Sequence, residues 1–264
     1  MPRLSPAKSM SSQTLDAIAT AALDVARLLM ESGANARSVE EIGKIVARGL
    51  GAESADLRIG YASLALTIGA NQVSITRMKS VGHIGVNQRL EQALWQLANS
   101  IAQRQRTPAE IGEELASLGA KTSRYAAWVT AVSVGLACAA FGRLLGMDWR
   151  ATGPVFLAAA LGQYIRHVLL RSQLNAFICT AIVSAVSSVL AGIGGRWTGS
   201  KTIGLAVIAS VLLLVPGVPS VNALTDVLEG HPTLGSARAI TVMMTLIFIA
   251  VGLWIGPVFL GLLK

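Results

Sequence analysis

The chain has 264 residues, of which 53% are hydrophobic and only 14% are charged. Because soluble domains usually carry about 25% charged residues, this composition excludes an ordinary soluble protein and indicates one embedded in a membrane. The net charge of +8 does not predict nucleic-acid binding, since the basic residues form no dense cluster and aromatic residues are only 5% of the chain.

The charged residues divide the chain into two parts. Residues 1–124 hold 25 charged side chains, whereas residues 125–264 hold 11. We therefore predict a small α+β domain over 14–120 and an all-α transmembrane domain over 121–264, preceded by a disordered N-terminus over 1–13. The polar start has no apolar core of the signal-peptide type, which predicts that the α+β domain stays in the cytoplasm.

Two helices are predicted at the start of the α+β domain. Apolar residues recur at steps of three and four after Thr14, which can cap a helix that stops at Gly33. Ser38 and Glu41 have the spacing of a capping box, which predicts a second helix through about Leu50.

Strands and two more helices complete the predicted domain. β-branched and apolar residues favour short antiparallel strands, and helical spacing then returns. Gly69, Ala70 and Asn71 favour a hairpin turn, and Pro108 is typical of the first turn of a helix. The predicted strands are 55–61, 63–68 and 72–78, and the predicted helices are 87–103 and 108–118.

The apolar half is divided by its charged residues into stretches of membrane-spanning length. A span needs roughly 17–25 mostly apolar residues, and about five segments fit if Arg166 and His167 are tolerated near the membrane boundary. The predicted spans are 126–145, 152–170, 174–193, 202–218 and 239–262. Both cysteines, Cys138 and Cys179, lie inside these apolar runs, which favours packing roles over a disulfide or a metal site.

The stretch 212–238, LLLVPGVPSVNALTDVLEGHPTLGSAR, interrupts this pattern. An apolar run breaks at Pro216 and Gly217 and continues as a polar segment that contains Asn222 and Asp226. Broken helices often form substrate sites in transporters, because irregular backbone at membrane depth is tolerated where it lines a cavity. A plain interhelical turn explains the same pattern equally well.

The sequence contains no catalytic constellation and no metal-binding motif that we recognise. We therefore predict no enzymatic activity, no cofactor and no metal. The candidate substrate contacts are Asn222, Asp226, Pro216, Gly217 and Arg166. Arg166 can bind a carboxylate, although it can also extend to the membrane interface. Asp226 can bind a substrate ammonium group or relay a proton in an antiport cycle, or it can simply cap a helix.

The chain resembles the threonine/serine exporter family, and especially its shorter, split branch of YjjP type. The resemblance is carried by ALDVARLLMESGANARSVEEI at 22–42, by SITRMKSVGHIGVNQRLEQAL at 74–94 and by LVPGVPSVNALTDVLEGHPTLGSAR at 214–238. It implies export of small polar metabolites, either threonine and serine or dicarboxylates such as succinate. It also implies a second small membrane subunit as partner, since the chain lacks the second transmembrane half of the long members, or else a homo-oligomer.

Together these observations predict a multi-pass protein of the cell inner membrane. The expected function is that of a proton-coupled secondary exporter subunit for small polar metabolites. The alternative is a non-transporting membrane scaffold or sensor whose cytoplasmic domain binds a ligand.

Overall fold

A computed structural model describes residues 11–103, 106–122, 125–259 and 261. The described chain forms two compact units. The first contains the residues up to 122 together with Val218–Ala239, and the second contains Tyr125–Gly217 and the residues from Ile240 onward. Most of the predicted disordered N-terminus, residues 1–10, lies outside the described residues. Residues 260 and 262 of the last predicted span lie outside them as well.

The first unit is an α+β domain built on a three-stranded antiparallel sheet with strand order β1-β2-β3. Strand β2 places Leu64, Leu66 and Ile68 on one face, where they are fully buried, because successive side chains of a strand alternate between faces. The N-terminal elements are α1 (Ser12–Glu31), α2 (Ala36–Gly49), β1 (Ser54–Ile59), β2 (Ser63–Ala70), β3 (Val73–Ser80), α3 (Gln88–Gln103) and α4 (Pro108–Lys121).

Helix α1 supplies much of the core of this unit. Its Leu15, Ile18, Leu23 and Leu29 are at most 1% exposed and recur with helical spacing on the face that packs on the sheet and on α2. The predicted order of two helices, three strands and two helices is therefore found in the structure.

Three local predictions for this unit were wrong. Helix α1 begins earlier than expected, at Ser12, because Ser11 caps it by accepting the Thr14 N–H. Helix α2 is capped by Asn35, whose side chain accepts the Ser38 N–H, so the predicted Ser38 capping box does not form. The hairpin turn lies at Asn71 and Gln72, which have positive φ angles of 49° and 64°.

The second unit is a helical bundle. Helix α6 packs against α5, α7 and α8, and α8 also contacts α5 and α7. Its elements are α5 (Ala127–Leu144), α6 (Trp149–Arg171), α7 (Ala176–Trp197), α8 (Ile203–Val211) and the 3₁₀ turn Leu212–Leu214. Two helices contain residues of both units, namely α9 (Gly217–Leu228) and α10 (Pro232–Phe259).

Small residues allow close packing in the bundle. A Cβ at Gly252 or Gly256 of α10 would press on the backbone carbonyls of Ala181 and Ala185 of α7. The hydroxyl of Ser184 donates to the Ile249 carbonyl at 2.8 Å, which links the same pair of helices. Interhelical packing of this kind replaces the hydrophobic driving force that lipid does not provide.

Three helices in the described residues are long and apolar enough to cross a membrane, namely Ala127–Leu144, Ala176–Trp197 and Pro232–Gly256. A fourth is obtained if α8 with the 3₁₀ turn and α9 are counted as one broken span. The predicted number of about five is therefore not confirmed. Helix α6 has 23 residues but is less apolar, since it carries three arginines. The last span also begins earlier than predicted, because α10 starts at Pro232 rather than near Ala239.

Candidate functional site

The turn between α1 and α2 is the centre of a polar site in the first unit. Gly33 has a φ of +96°, a conformation that glycine adopts without strain. A Cβ there would lie 2.5 Å from the Gly85 carbonyl oxygen. The turn therefore exposes the backbone groups of residues 33–36 to neighbouring segments at a distance that only glycine permits.

Asp226 of α9 binds this turn directly. Its side chain is 0% exposed, and one carboxylate oxygen accepts the Ala36 N–H at 2.8 Å. The other oxygen accepts from Arg238 at 2.7 Å, and Arg238 also donates to the Ala34 carbonyl at 2.9 Å. The N–H of Ala36 is one of the unpaired donors at the start of α2, where a negative charge is favoured.

Asn222 lies one turn before Asp226 on the same face of α9. Its side-chain amide donates to the Gly33 carbonyl oxygen at 2.6 Å. The two side chains therefore both hydrogen-bond to the backbone of the same tight turn. We call the group Gly33, Ala34, Ala36, Asn222, Asp226 and Arg238 the polar junction.

The segment after β3 reaches the same turn from the other side. The Gly85 N–H donates to the Glu31 carbonyl at 2.9 Å, and the Asn87 N–H donates to the Ser32 carbonyl at 2.8 Å. The Gly82 N–H donates to the Glu31 carboxylate at 2.8 Å. Three stretches that are far apart in the sequence, within 22–42, 74–94 and 214–238, therefore converge on one turn.

Ion pairs surround the polar junction. Arg37 of α2 lies 3.4 Å from Glu229, and His231 lies 3.4 Å from Glu40. One carboxylate oxygen of Glu229 is buried without a hydrogen-bond partner among the described residues. The first turns of α2 are thus joined to the end of α9 by the Arg37–Glu229 ion pair, and to the loop that follows by the contact between Glu40 and His231.

The other sequence-predicted site residues belong to the second unit. Pro216 and Gly217 follow the 3₁₀ turn, at a point where Val215 is extended with a ψ of 124°. Arg166 lies half-buried on α6, and it forms no ion pair with any residue in the described ranges. The structure thus brings Asn222 and Asp226 together, while Arg166, Pro216 and Gly217 are part of the bundle.

The bundle contains a small cavity with a partly polar lining that the sequence did not single out. It has a volume of about 10 Å³ and lies among α5, α6, α7, α8 and the 3₁₀ turn. Its polar lining residues are Cys138, Gln163, Ser187 and Ser210. The available signal was Gln163, an uncharged amide inside a predicted span, whereas Cys138 was attributed to packing.

Metal binding finds no support in the described part of the chain. No three or more His, Cys, Asp or Glu side chains are grouped there in a way that could hold an ion.

The family described as "Putative threonine/serine exporter" (ThrE) matches residues 20–260. The chain belongs to the threonine/serine exporter family. The polar junction and the stretch 74–94 that reaches the same turn lie inside the matched range, and members of this family are transporters, not enzymes.

Two relatives carry the name "Probable succinate transporter subunit YjjP". The protein from Klebsiella aerogenes is 28% identical over 232 residues, which cover 87% of this chain and 89% of the relative. The protein from Escherichia coli strain K12 is 30% identical over 220 residues, which cover 83% of this chain and 85% of the relative. No solved structure matches the chain.

Proposed function

We propose that this chain is an inner-membrane exporter subunit for small polar metabolites, either threonine/serine-type amino acids or small dicarboxylates such as succinate. The observation that carries the proposal is the family match over 20–260, together with helices of membrane-spanning length in the same chain. Both relatives are named as subunits of a succinate transporter, which supports a multi-subunit complex.

The proposed assembly contains a second small membrane subunit, and transport is coupled to the proton gradient. The chain would then supply the α+β domain on the cytoplasmic side and part of the transmembrane pathway. The membrane helices expose many apolar side chains, and only 17% of the most apolar window of α10 is buried. Such surfaces are compatible with lipid, a partner subunit or a second copy of the chain around them.

Arg166 is the proposed partner of a substrate carboxylate. Its guanidinium keeps its charge and can donate two parallel hydrogen bonds to a carboxylate. Charged side chains within a membrane helix bundle are costly and usually have a functional partner. Since no acidic side chain among the described residues pairs with Arg166, a substrate carboxylate fits this position.

Asn222 and Asp226 are the proposed polar contacts of the broken segment, whose sequence begins at Pro216 and Gly217. Both are engaged in the polar junction, so a substrate group that binds Asp226 must displace the Ala36 N–H or Arg238. Asp226 can therefore serve transport in two ways: by direct contact with the substrate, or by holding α9 on the α1–α2 turn.

Reconstitution tests the proposal. Liposomes that contain the purified chain, with and without a candidate second membrane subunit of the same exporter family, are loaded with labelled succinate, threonine or serine, and efflux is measured with an imposed proton gradient. We expect gradient-dependent efflux of at least one of these solutes, which an ionophore abolishes.

The Arg166→Gln variant is expected to slow efflux by about tenfold or more, because one charge-assisted contact is lost. The matched control is Arg171→Gln, at the exposed end of the same helix, which should retain wild-type efflux. If no solute moves under either condition, the exporter assignment is wrong and a membrane scaffold or sensor explains the chain better.

A further inference from the structure

The cavity in the second unit, which we call the bundle cavity, combines a small volume with a partly polar lining. Its volume of about 10 Å³ gives room for roughly one water molecule. Its lining combines the uncharged polar side chains of Gln163, Ser187 and Ser210 with the thiol of Cys138. The rest of the lining is apolar, from Val134, Ala159, Val183, Leu213 and Leu214. A cavity with polar groups of this kind accommodates a hydrogen-bonding guest, whereas cavities that stay empty are apolar throughout.

Ser187 is the decisive residue. Its side chain is 1% exposed, and it makes no side-chain hydrogen bond within the described ranges. Ser184, Ser188 and Ser210, by contrast, donate to carbonyl oxygens at 2.8 to 2.9 Å. Because Ser187 lines the cavity, its hydroxyl keeps its hydrogen-bonding capacity for a group that enters the cavity.

Helix α6 leaves room for the Ser187 hydroxyl and contributes further polar side chains near the cavity. A Cβ at Gly162 would overlap the Ser187 hydroxyl, so glycine at this position leaves room for it. Gln163 adds an amide that both donates and accepts hydrogen bonds. Arg166 lies three residues beyond Gln163, on the same face of the helix and one turn away.

The 3₁₀ turn closes the cavity on the α8 side. Helix α8 ends at Val211, and Leu213 and Leu214 of the following turn are lining residues. Departure from α-helical geometry within a membrane bundle is tolerated where it faces protein or a polar cavity. Broken helices contribute to substrate sites in many transporters for this reason.

We propose that the bundle cavity is an uncharged hydrogen-bonding subsite for the carboxylate or hydroxyl oxygen of a small carboxylic acid, contacted by Ser187 and Gln163 while Arg166 supplies the charge one turn away. This inference rests on the proposed transport function. In the described conformation the cavity has room for one oxygen-sized group, so the solute enters when the helices around it separate further.

Cys138 makes the proposal testable without a transport assay. It lines the bundle cavity, while the second cysteine, Cys179, can be removed as Cys179→Ala. The full chain in liposomes is treated with a small water-soluble methanethiosulfonate, and modification of Cys138 is followed by mass spectrometry at increasing succinate, threonine or serine. We expect Cys138 to react and at least one of the three solutes to slow the reaction.

Two matched pairs of variants separate binding from folding. Ser187→Ala should raise the solute concentration needed for protection by about threefold to tenfold, the loss expected for one hydrogen bond, whereas Ser188→Ala should not change it. Gly162→Ala should have the same effect as Ser187→Ala by displacing the hydroxyl. Gly153→Ala, on the same helix with open space around its Cβ position, is the control.

The proposal is overturned if Cys138 does not react, if none of the three solutes protects it, or if Ser187→Ala and Ser188→Ala behave alike. Protection without efflux would support the subsite but contradict the exporter function. Efflux without protection would support the exporter function and reject the bundle cavity as its subsite.

Discussion

At the scale of single residues, the ion pair of Asp226 and Arg238 is the contact of the polar junction whose loss should affect stability most. The two side chains are 0% and 6% exposed, respectively. Each also binds the α1–α2 turn, Asp226 through the Ala36 N–H and Arg238 through the Ala34 carbonyl. A buried ion pair contributes little net stability over an apolar pair, but removal of one partner leaves a buried charge without compensation.

We therefore expect Asp226→Asn to lower the free energy of unfolding of the first unit by about 3–5 kcal/mol, because Arg238 keeps its charge and loses its partner. Thermal unfolding in detergent, followed by tryptophan fluorescence, measures the effect. The control is Glu229→Gln, whose ion pair with the exposed Arg37 should contribute at most about 1 kcal/mol.

The same variant separates the two roles of Asp226. If the folded fraction of Asp226→Asn retains efflux in proportion to its amount, Asp226 acts by holding α9 on the turn. If efflux is lost while the unfolding temperature stays at the wild-type value, the structural role is refuted and direct contact with the substrate is favoured.

At the scale of secondary-structure elements, Asp148 joins two helix connections in the second unit. It caps α6 by accepting the Ala151 N–H at 3.0 Å, and it accepts from Ser200 at 2.9 Å and from the Lys201 N–H at 2.7 Å. Desolvation is the largest single influence and raises the pKa of Asp148. The bonds from Lys201, Ser200, Ala151 and Thr202 together outweigh it and lower the pKa below its ordinary value of 3.8.

The sign of this shift predicts an acid-dependent loss of stability. Because the folded chain holds the proton on Asp148 less tightly than the unfolded chain does, the carboxylate stabilises the fold above the ordinary pKa of 3.8. This contribution is lost as the pH falls from there through the lowered pKa. Asp148→Asn keeps a capping side chain but does not titrate, so its unfolding temperature should depend less on pH below about 4 than that of the wild type. Parallel pH profiles for the two proteins would contradict the assignment.

At the scale of the whole molecule, periodicity and charge distribution predicted the elements but not their tertiary contacts. The apolar spacing of α1 and the short β-rich segments identified the α+β domain, because local pattern determines local structure. Which part of the chain the polar segment after Pro216 contacts was not predictable in this way. Asp226 and Ala36 are 190 residues apart, and a single sequence has no signal for such a contact.

The bundle cavity shows the second limit of sequence reasoning. Ser184, Ser187 and Ser188 are equivalent small residues in the sequence of α7, and only the structure separates the hydroxyl without a hydrogen bond from those that have one. The number of membrane spans is a further property that sequence composition alone does not determine. Helix α6 is too polar to satisfy a hydropathy criterion, yet it packs against α5, α7 and α8 along the bundle.

The position of residues 172–175, between α6 and α7, decides whether α6 crosses the membrane. If the α+β domain is cytoplasmic and five segments span, α5 leads outward and α6 returns, so this connection is cytoplasmic and the C-terminus lies outside. We expect a reporter that is active only in the cytoplasm to work when inserted at Gln173, where the backbone has a φ of 58° in a turn, and to fail when fused after the last residue. Reporter activity only outside the cytoplasm at Gln173 would show that α6 does not cross. In that case Arg166 would lie outside the membrane pathway, and the carboxylate contact proposed for it would have to be abandoned.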